Sequence, residues 1–241
     1  MDSCYWGYFH GSVDWGVVAM DATNKDKKGM KQQVKNIIFD LGGVLVGLDK
    51  HRCISAFEQI GAETVAEYVR DHRTADLFYD IEVGQMTTAD FCKEVRTMDG
   101  CNASDEEIVW AWNQLLTGIP QMKKKRLLAL KPAYRLFLLS NTNEMHWKKC
   151  VTDDFTDAHM TERSYFEQIF LSYKMNIAKP NRQIFERVLN AAGIQAAETL
   201  FIDDSLTNCQ SAAQLGIQVF HETTGNDWLN KQEWDEDNLF G

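Results

Sequence analysis

From Val34 onward, short apolar runs near residues 35–40, 134–140, 168–172, 199–203 and 217–220 alternate with segments of helical periodicity. No other feature of the chain restricts its fold as strongly. Strands that are apolar along their whole length need cover on both faces, and helices that cross over between successive parallel strands supply it. The expectation is an α/β fold: a Rossmann-like parallel sheet of about five strands with helices on both faces.

The first two apolar runs are separated by a long interval with helical periodicity over roughly 52–60, 63–80, 88–98, 104–117 and 121–130. One crossover helix cannot account for it. A helical cap, residues 50–118, is therefore expected as an insertion after the first strand, leaving an α/β core of 34–49 and 119–241. Thr87-Thr88-Ala89-Asp90 and Ser104-Asp105-Glu106-Glu107 predict helix starts, because a hydroxyl there accepts from the exposed amides of the first turn. Residues 1–33, where aromatic residues are scattered among glycines before a polar connector, read as an N-terminal extension.

Charge and composition narrow the function. A net charge of -10 repels polyphosphate backbones, so nucleic acid is not an expected partner. The longest apolar runs are far shorter than a membrane span, so no membrane association is expected. The first residues lack the basic, then apolar, pattern of a secretory signal. Six cysteines lie far apart, without a C-x-x-C pair, and read as free thiols in a reducing compartment; the expected location is cytoplasmic.

The ends of the runs hold the chemistry. Ile37-Ile38-Phe39 leads into Asp40, with the glycine turn Gly42-Gly43 behind it, at the strand edge where open α/β sheets bind ligands. The fourth run ends Ile202-Asp203-Asp204-Ser205, and adjacent acids leaving an apolar strand are costly to bury unless a cation offsets them. A hard metal site follows. The second run ends Leu139-Ser140-Asn141-Thr142-Asn143, and Lys179-Pro180 follows the third.

Taken singly, each has a plainer reading. Asp40 could be a turn residue, Asp203-Asp204 could cap the helix starting near Leu206, with Asp204 able to do so as well as bind metal, Ser140 to Asn143 could be an ordinary helix start, and Lys179 a solvated loop charge. The six histidines show no paired spacing and read as structural or surface groups; Trp110, Trp112, Met86 and Phe91 read as core or face of the insert. Nothing matches G-x-G-x-x-G or a Walker loop.

With Asp40, Ser140, Lys179 and Asp203-Asp204 in this order over about residues 34–221, the chain resembles the haloacid dehalogenase (HAD)-like hydrolase superfamily. Its Phe-Asp-Leu-Gly-Gly-Val-Leu-Val, Leu-Ser-Asn-Thr-Asn and Ile-Asp-Asp-Ser segments look most like the branch that contains hexose-1-phosphate phosphatases. The resemblance implies a Mg²⁺-dependent phosphomonoester hydrolase acting on a small phosphorylated metabolite, a sugar phosphate by the branch. Asp40 would be the nucleophile and form an aspartyl phosphate. Mg²⁺ would be held by Asp40, the Gly42 carbonyl and Asp204, with Asp203 completing the metal site from behind these ligands or through a water. Ser140, Lys179 and backbone amides around Gly42, Gly43 and Asn141 would bind the phosphoryl group.

One position departs from that pattern. Most phosphatases of the superfamily have a second aspartate two residues after the nucleophile, as proton donor to the leaving group; here it is Gly42, which has no proton to give. Asp49 and His51 are the nearby candidates to replace it. The departure also keeps two alternatives open, a 2-haloacid dehalogenase and a non-catalytic phosphosugar-binding pseudophosphatase. The paired acids Asp203-Asp204 count against the dehalogenase.

Overall fold

The computed structural model describes residues 33–71, 77–156 and 159–231. The N-terminal extension expected over 1–33 lies, apart from Gln33, outside the described residues.

Five parallel strands, β1 (Asn36–Phe39), β2 (Arg135–Ser140), β3 (Gln168–Leu171), β4 (Thr199–Asp203) and β5 (Gln218–His221), form one sheet in the order β3-β2-β1-β4-β5. Alternate residues of the three central strands enter two different apolar clusters. Ile37, Phe39, Leu136, Leu138, Leu200 and Ile202 enter one, and Ile38, Phe137, Leu139 and Phe201 the other. This two-sided burial is why the strands read as unbroken apolar runs. The chain builds β2 and β3 on one side of β1 and then returns to place β4 on the other. The crevice at the carboxyl ends of β1 and β4 is thus a topological switch point, the site where such sheets bind ligands.

Between β1 and β2 lie α1 (Lys50–Gln59), α2 (Glu63–Arg70), α3 (Leu77–Glu82), α4 (Thr88–Asp99), α5 (Asp105–Asn113) and α6 (Gln121–Leu130). Both expected helix starts are capping boxes: Asp90 N–H donates to Thr87 Oγ1 at 3.1 Å, and Glu107 N–H to Ser104 Oγ at 3.2 Å. The helix expected over 63–80 corresponds to α2 and α3, with residues 72–76 between them outside the described residues. Helices α1 to α5 pack on one another, with Phe57, Phe78, Phe91 and Trp112 buried at their centre.

The remaining helices are α7 (Glu144–Lys149), α8 (Glu162–Tyr165), α9 (Ser172–Met175), α10 (Arg182–Ala192), α11 (Leu206–Ala213) and α12 (Asp227–Asn230). α10 and α11 cover one sheet face through Ile184, Phe185, Val188 and Ala212, with Phe185 edge-on to Phe201 at 5.3 Å. On the other face Trp228 meets the Phe39 ring edge-on at 5.0 Å and donates its indole N–H to Val44 O at 3.3 Å. The loop just after Asp40 is thereby tied to the last described helix. Trp228→Ala should lower stability by about 3–5 kcal/mol, whereas Trp228→Phe, which keeps one ring but loses the N–H and part of the buried volume, should cost about 1–3 kcal/mol. Urea denaturation midpoints of the three proteins check this order.

Candidate active site

Register brings the acids together. Phe39 pairs with Ile202 and Leu138, so one step further Asp40 stands beside Asp203, and its amide donates to Ile202 O at 2.9 Å. Lys179 closes the group. Its Nζ lies 2.7 Å from Asp40 Oδ1, 2.7 Å from Asp203 Oδ2 and 3.1 Å from Leu139 O, so all three ammonium hydrogens have acceptors. Burial alone would lower the Lys179 pKa, but Asp203 and Asp40 outweigh it and hold the group above its ordinary value.

Neighbouring loops fix this ammonium. Lys179 N–H donates to Asn141 Oδ1 at 2.8 Å, and Asn141 Nδ2 returns a bond to Lys179 O at 2.9 Å. The side chain of Asn141, an expected phosphate-binding residue, therefore positions the lysine, while its backbone lies in the site. Ser140 is buried at the end of β2, and the following turn is held by Ser172 Oγ, which accepts from Thr142 N–H at 2.9 Å.

The two acids of the fourth strand divide their work. Asp203 is fully buried: Oδ2 faces Lys179, and Oδ1 accepts from Ser205 N–H at 2.8 Å and Asn208 Nδ2 at 3.0 Å. The N-cap of α11 is Ser205, whose Oγ accepts from Asn208 N–H at 3.4 Å, and not either acid of the Asp203-Asp204 pair; Asp203 instead holds the Ser205 amide and the Asn208 side chain. Asp204 is left to face the crevice. It packs against Gly43, whose φ is +72° and where a Cβ would lie 2.1 Å from Asp204 Oδ2, so only glycine fits. Gly43 itself donates its amide to Val46 O at 2.9 Å and lines a neighbouring cavity rather than the one above Asp40. The structure does not bring it to the expected phosphate position.

Carboxylate oxygens of Asp40, Asp203 and Asp204 all lie within 4.8 Å of one another. Three acids face one lysine, and the imbalance is visible in their protonation. Burial, with Asp203 adding and Lys179 opposing, raises Asp40 to about 7; burial, with Asp40 and Asp203 adding, raises Asp204 to about 8. A hard divalent cation on oxygen ligands would relieve both. The residues fit such an ion, with Asp40 and Asp204 as the acids whose charge is left least compensated.

A cavity of about 100 Å³ opens above this group, lined by Asp40, Gly42, Ser140, Asn141, Lys179 and Asp204, and from the helical insert by Trp112 and Glu82. His146 also lines it. Its Nδ1 lies 3.2 Å from Asn143 Nδ2, which can only donate, so Nε2 carries the hydrogen and gives it to Trp112 O at 3.1 Å. Burial lowers its pKa to about 4, which keeps it neutral, and it stacks on Trp112 at 4.7 Å. His146 is a strut between insert and sheet, in keeping with the structural role expected of the histidines.

The two expected replacements for the missing acid are elsewhere. Asp49 accepts from His51 N–H at 3.0 Å and Arg52 N–H at 3.1 Å as the N-cap of α1, and His51 lines a separate surface cleft with Trp110. Glu82 was not found from the sequence. It sits beyond the end of the expected 63–80 helix, and only the docking of α3 brings it to the site.

A buried cation between two strand-end carboxylates, at the switch point of a parallel sheet, defines a group-transfer site of the α/β class. The chain belongs to the haloacid dehalogenase-like hydrolase family, which it matches over residues 34–216. Among curated proteins it is 28% identical over 195 residues to a D-ribitol-5-phosphate phosphatase of Bacteroides thetaiotaomicron, covering 81% of this chain and 95% of that one. A solved HAD family enzyme of the same organism, in complex with magnesium and inorganic phosphate, superposes with a TM-score of 0.77 at 42% identity, covering 81% of this chain and 97% of the other. A HAD-like family hydrolase of Porphyromonas gingivalis gives 0.75 at 32% identity, over 82% and 95% of the two chains. Among the described residues, no helix is long and apolar enough to cross a membrane.

The raised carboxyls make a pH-dependent prediction. Asp204 titrates near 8 in the fold, so in metal-free protein its ionisation removes stability progressively between about pH 4 and pH 8. In EDTA, Asp204→Asn should therefore melt higher than wild type, by a margin that grows up to about pH 8 and then levels off. Added Mg²⁺ should raise the wild-type melting temperature at pH 8 and move the Asn variant much less. Thermal melts across pH, with and without the ion, check both signs.

Proposed function

We propose that this hydrolase is a Mg²⁺-dependent phosphatase that removes the phosphoryl group of a small phosphorylated metabolite, a sugar or polyol phosphate, through an aspartyl phosphate on Asp40. The observation that supports it most directly is Asp40 itself: a strand-end carboxylate against a buried ammonium, at the floor of a cavity that also presents Ser140 and Asp204. The ribitol phosphate named for the curated relative and the magnesium and phosphate of the solved relative support the substrate class and the ion.

Asp40, Asp204 and the Gly42 carbonyl would hold Mg²⁺, with Asp203 behind them. Bound there, the ion neutralises charge on the phosphoryl oxygens and the attacking carboxylate. Lys179 adds a fixed positive charge from below, and Ser140 Oγ is within the cavity to donate to a phosphoryl oxygen. An Asp40 oxygen forms a bond to phosphorus as the bond to the substrate alcohol breaks. Water then attacks the same phosphorus, and inorganic phosphate leaves with Asp40 restored. Splitting the displacement in two lets one preorganised set of charges serve both steps.

Residues 50–118 act in this reading as a cap over the core of 34–49 and 119–241. The two chain crossings run side by side: Thr117 N–H donates to Gly47 O at 2.9 Å, Asp49 N–H to Leu115 O at 2.8 Å, and Leu48 bridges Leu116 antiparallel. Such a paired connection lets the helices move as one unit without disturbing β1.

Asp40→Asn should cut turnover on the order of a thousandfold or more while leaving the circular dichroism spectrum unchanged. A panel of D-ribitol 5-phosphate, hexose 1-phosphates and hexose 6-phosphates, assayed for phosphate release with Mg²⁺ and with EDTA, checks it. Near-normal activity in the variant, or halide release from a 2-haloacid in place of phosphate release, would overturn the reading.

A further inference from the structure

The active-site cavity contains a carboxylic acid that the scheme above does not use. Glu82 is the last residue of α3 and lines the cavity together with Asp40 and Lys179. Among the described residues it has no hydrogen-bond or ion-pair partner.

Its position is built from several directions. Leu77, Phe78 and Ile81 bury the other side of α3, and Phe78 stacks on Trp112 at 4.7 Å with the rings 4° from parallel. Trp112 in turn stacks on His146 of the core. Just past Glu82, Asn176 Nδ2 donates to Val83 O at 3.0 Å. Gly84, at φ +69°, passes so close to the Tyr173 carbonyl that a Cβ would lie 2.1 Å from it. The helix end is thus clamped against α9, and the one polar side chain at that end is aimed into the cavity.

We propose that Glu82 is the proton donor to the leaving oxygen, the role that Gly42 cannot fill; the proposal rests on the phosphatase reading above. The other groups lining the cavity are unsuited. Lys179 has all three hydrogens engaged, His146 is neutral with both nitrogens engaged, and Asp40 and Asp204 face the cation site. Asp49 and His51 do not line the cavity. As the phosphorus–oxygen bond to the substrate breaks, its electron pair stays on the leaving oxygen, which takes the carboxyl proton of Glu82 and departs as the alcohol. The Glu82 carboxylate then recovers a proton from the water that cleaves the aspartyl phosphate. Burial, partly opposed by Lys179 and reinforced by Asp40, raises the Glu82 carboxyl to about 7, where a protonated form is available near neutral pH.

The test uses Glu82→Gln in the full chain with Mg²⁺, on aryl phosphates from p-nitrophenyl to phenyl and on D-ribitol 5-phosphate. It reads kcat/KM, which reports only the steps up to release of the alcohol. The variant should lose on the order of a hundredfold on phenyl phosphate and the polyol phosphate and little on p-nitrophenyl phosphate, whose anion leaves without a proton. Adding Gly42→Asp should recover activity on the poor leaving groups selectively. Gly42 is not at positive φ, and a Cβ there would touch only Leu48, at 3.4 Å, so the turn accepts a side chain. An equal loss on every substrate would mark Glu82 as merely structural, and no loss on phenyl phosphate would remove it from the reaction; either overturns the proposal. Wild type inactive on all phosphates would instead overturn the phosphatase reading, and this role with it.

Discussion

The Lys179 ammonium is the interaction on which the rest of the molecule depends. It is almost completely buried, a placement that costs several kcal/mol unless the charge is paired and every hydrogen is accepted. Its acceptors come from three strands: Asp40 just after β1, Leu139 in β2 and Asp203 at the end of β4. One cation thus draws together the strand ends on both sides of the switch point. Removing Asp203, its fully buried partner, would leave the ammonium short of a compensated counter-charge, a loss of about 3–5 kcal/mol in such settings. Stability and chemistry are coupled at this point because the carboxylate proposed as the nucleophile also contacts the buried lysine.

The same arrangement creates a need it does not meet. Asp40, Asp203 and Asp204 outnumber Lys179, and Asp203 is satisfied first, by the ammonium, an amide and Asn208. The deficit falls on Asp40 and Asp204, the two carboxyls pushed upward by burial and by each other. A site that holds excess negative charge in place before its ion arrives has little reorganisation left to do when ion and phosphate bind. Gly43 completes this by letting Asp204 approach the turn so closely that no side chain fits between them.

Much of this was legible in the chain because its signals are local. A run apolar on both faces and ending in an acid states both a buried strand and its functional end, and the five strands fall within a residue or two of expectation. Thr87 and Ser104 announced their helices through side chains that bond within three residues. What stayed hidden depends on contacts distant in sequence. The pair Asp203-Asp204 does not itself tell which acid turns inward, since the charge that Asp203 meets there is Lys179, which arrives from another loop. Asp49 looked available because it follows the glycine turn, yet capping α1 engages its carboxylate. Glu82 sits in an amphipathic helix end like many surface glutamates, and only the stack of Phe78, Trp112 and His146 turns it inward.

That last placement changes how the reaction is controlled. A donor two residues after the nucleophile would belong to the strand-end turn and be present whatever the insert did. A donor on α3 is present only when the insert is docked, with Gly84 against Tyr173 and Trp112 against His146. The contacts that hold Glu82 in the cavity also cover Asp40, so under the proposed roles water exclusion and proton supply rest on the same packing. An aspartyl phosphate formed under a docked insert would face a supply of water set by the same contacts. Under these proposed roles substrate selection and bond breaking share α3: a leaving group that fails to let the helix seat would also fail to receive its proton. In such a site the glycine after the nucleophile is compensated from the insert, and discrimination between substrates can act on rate as well as on binding.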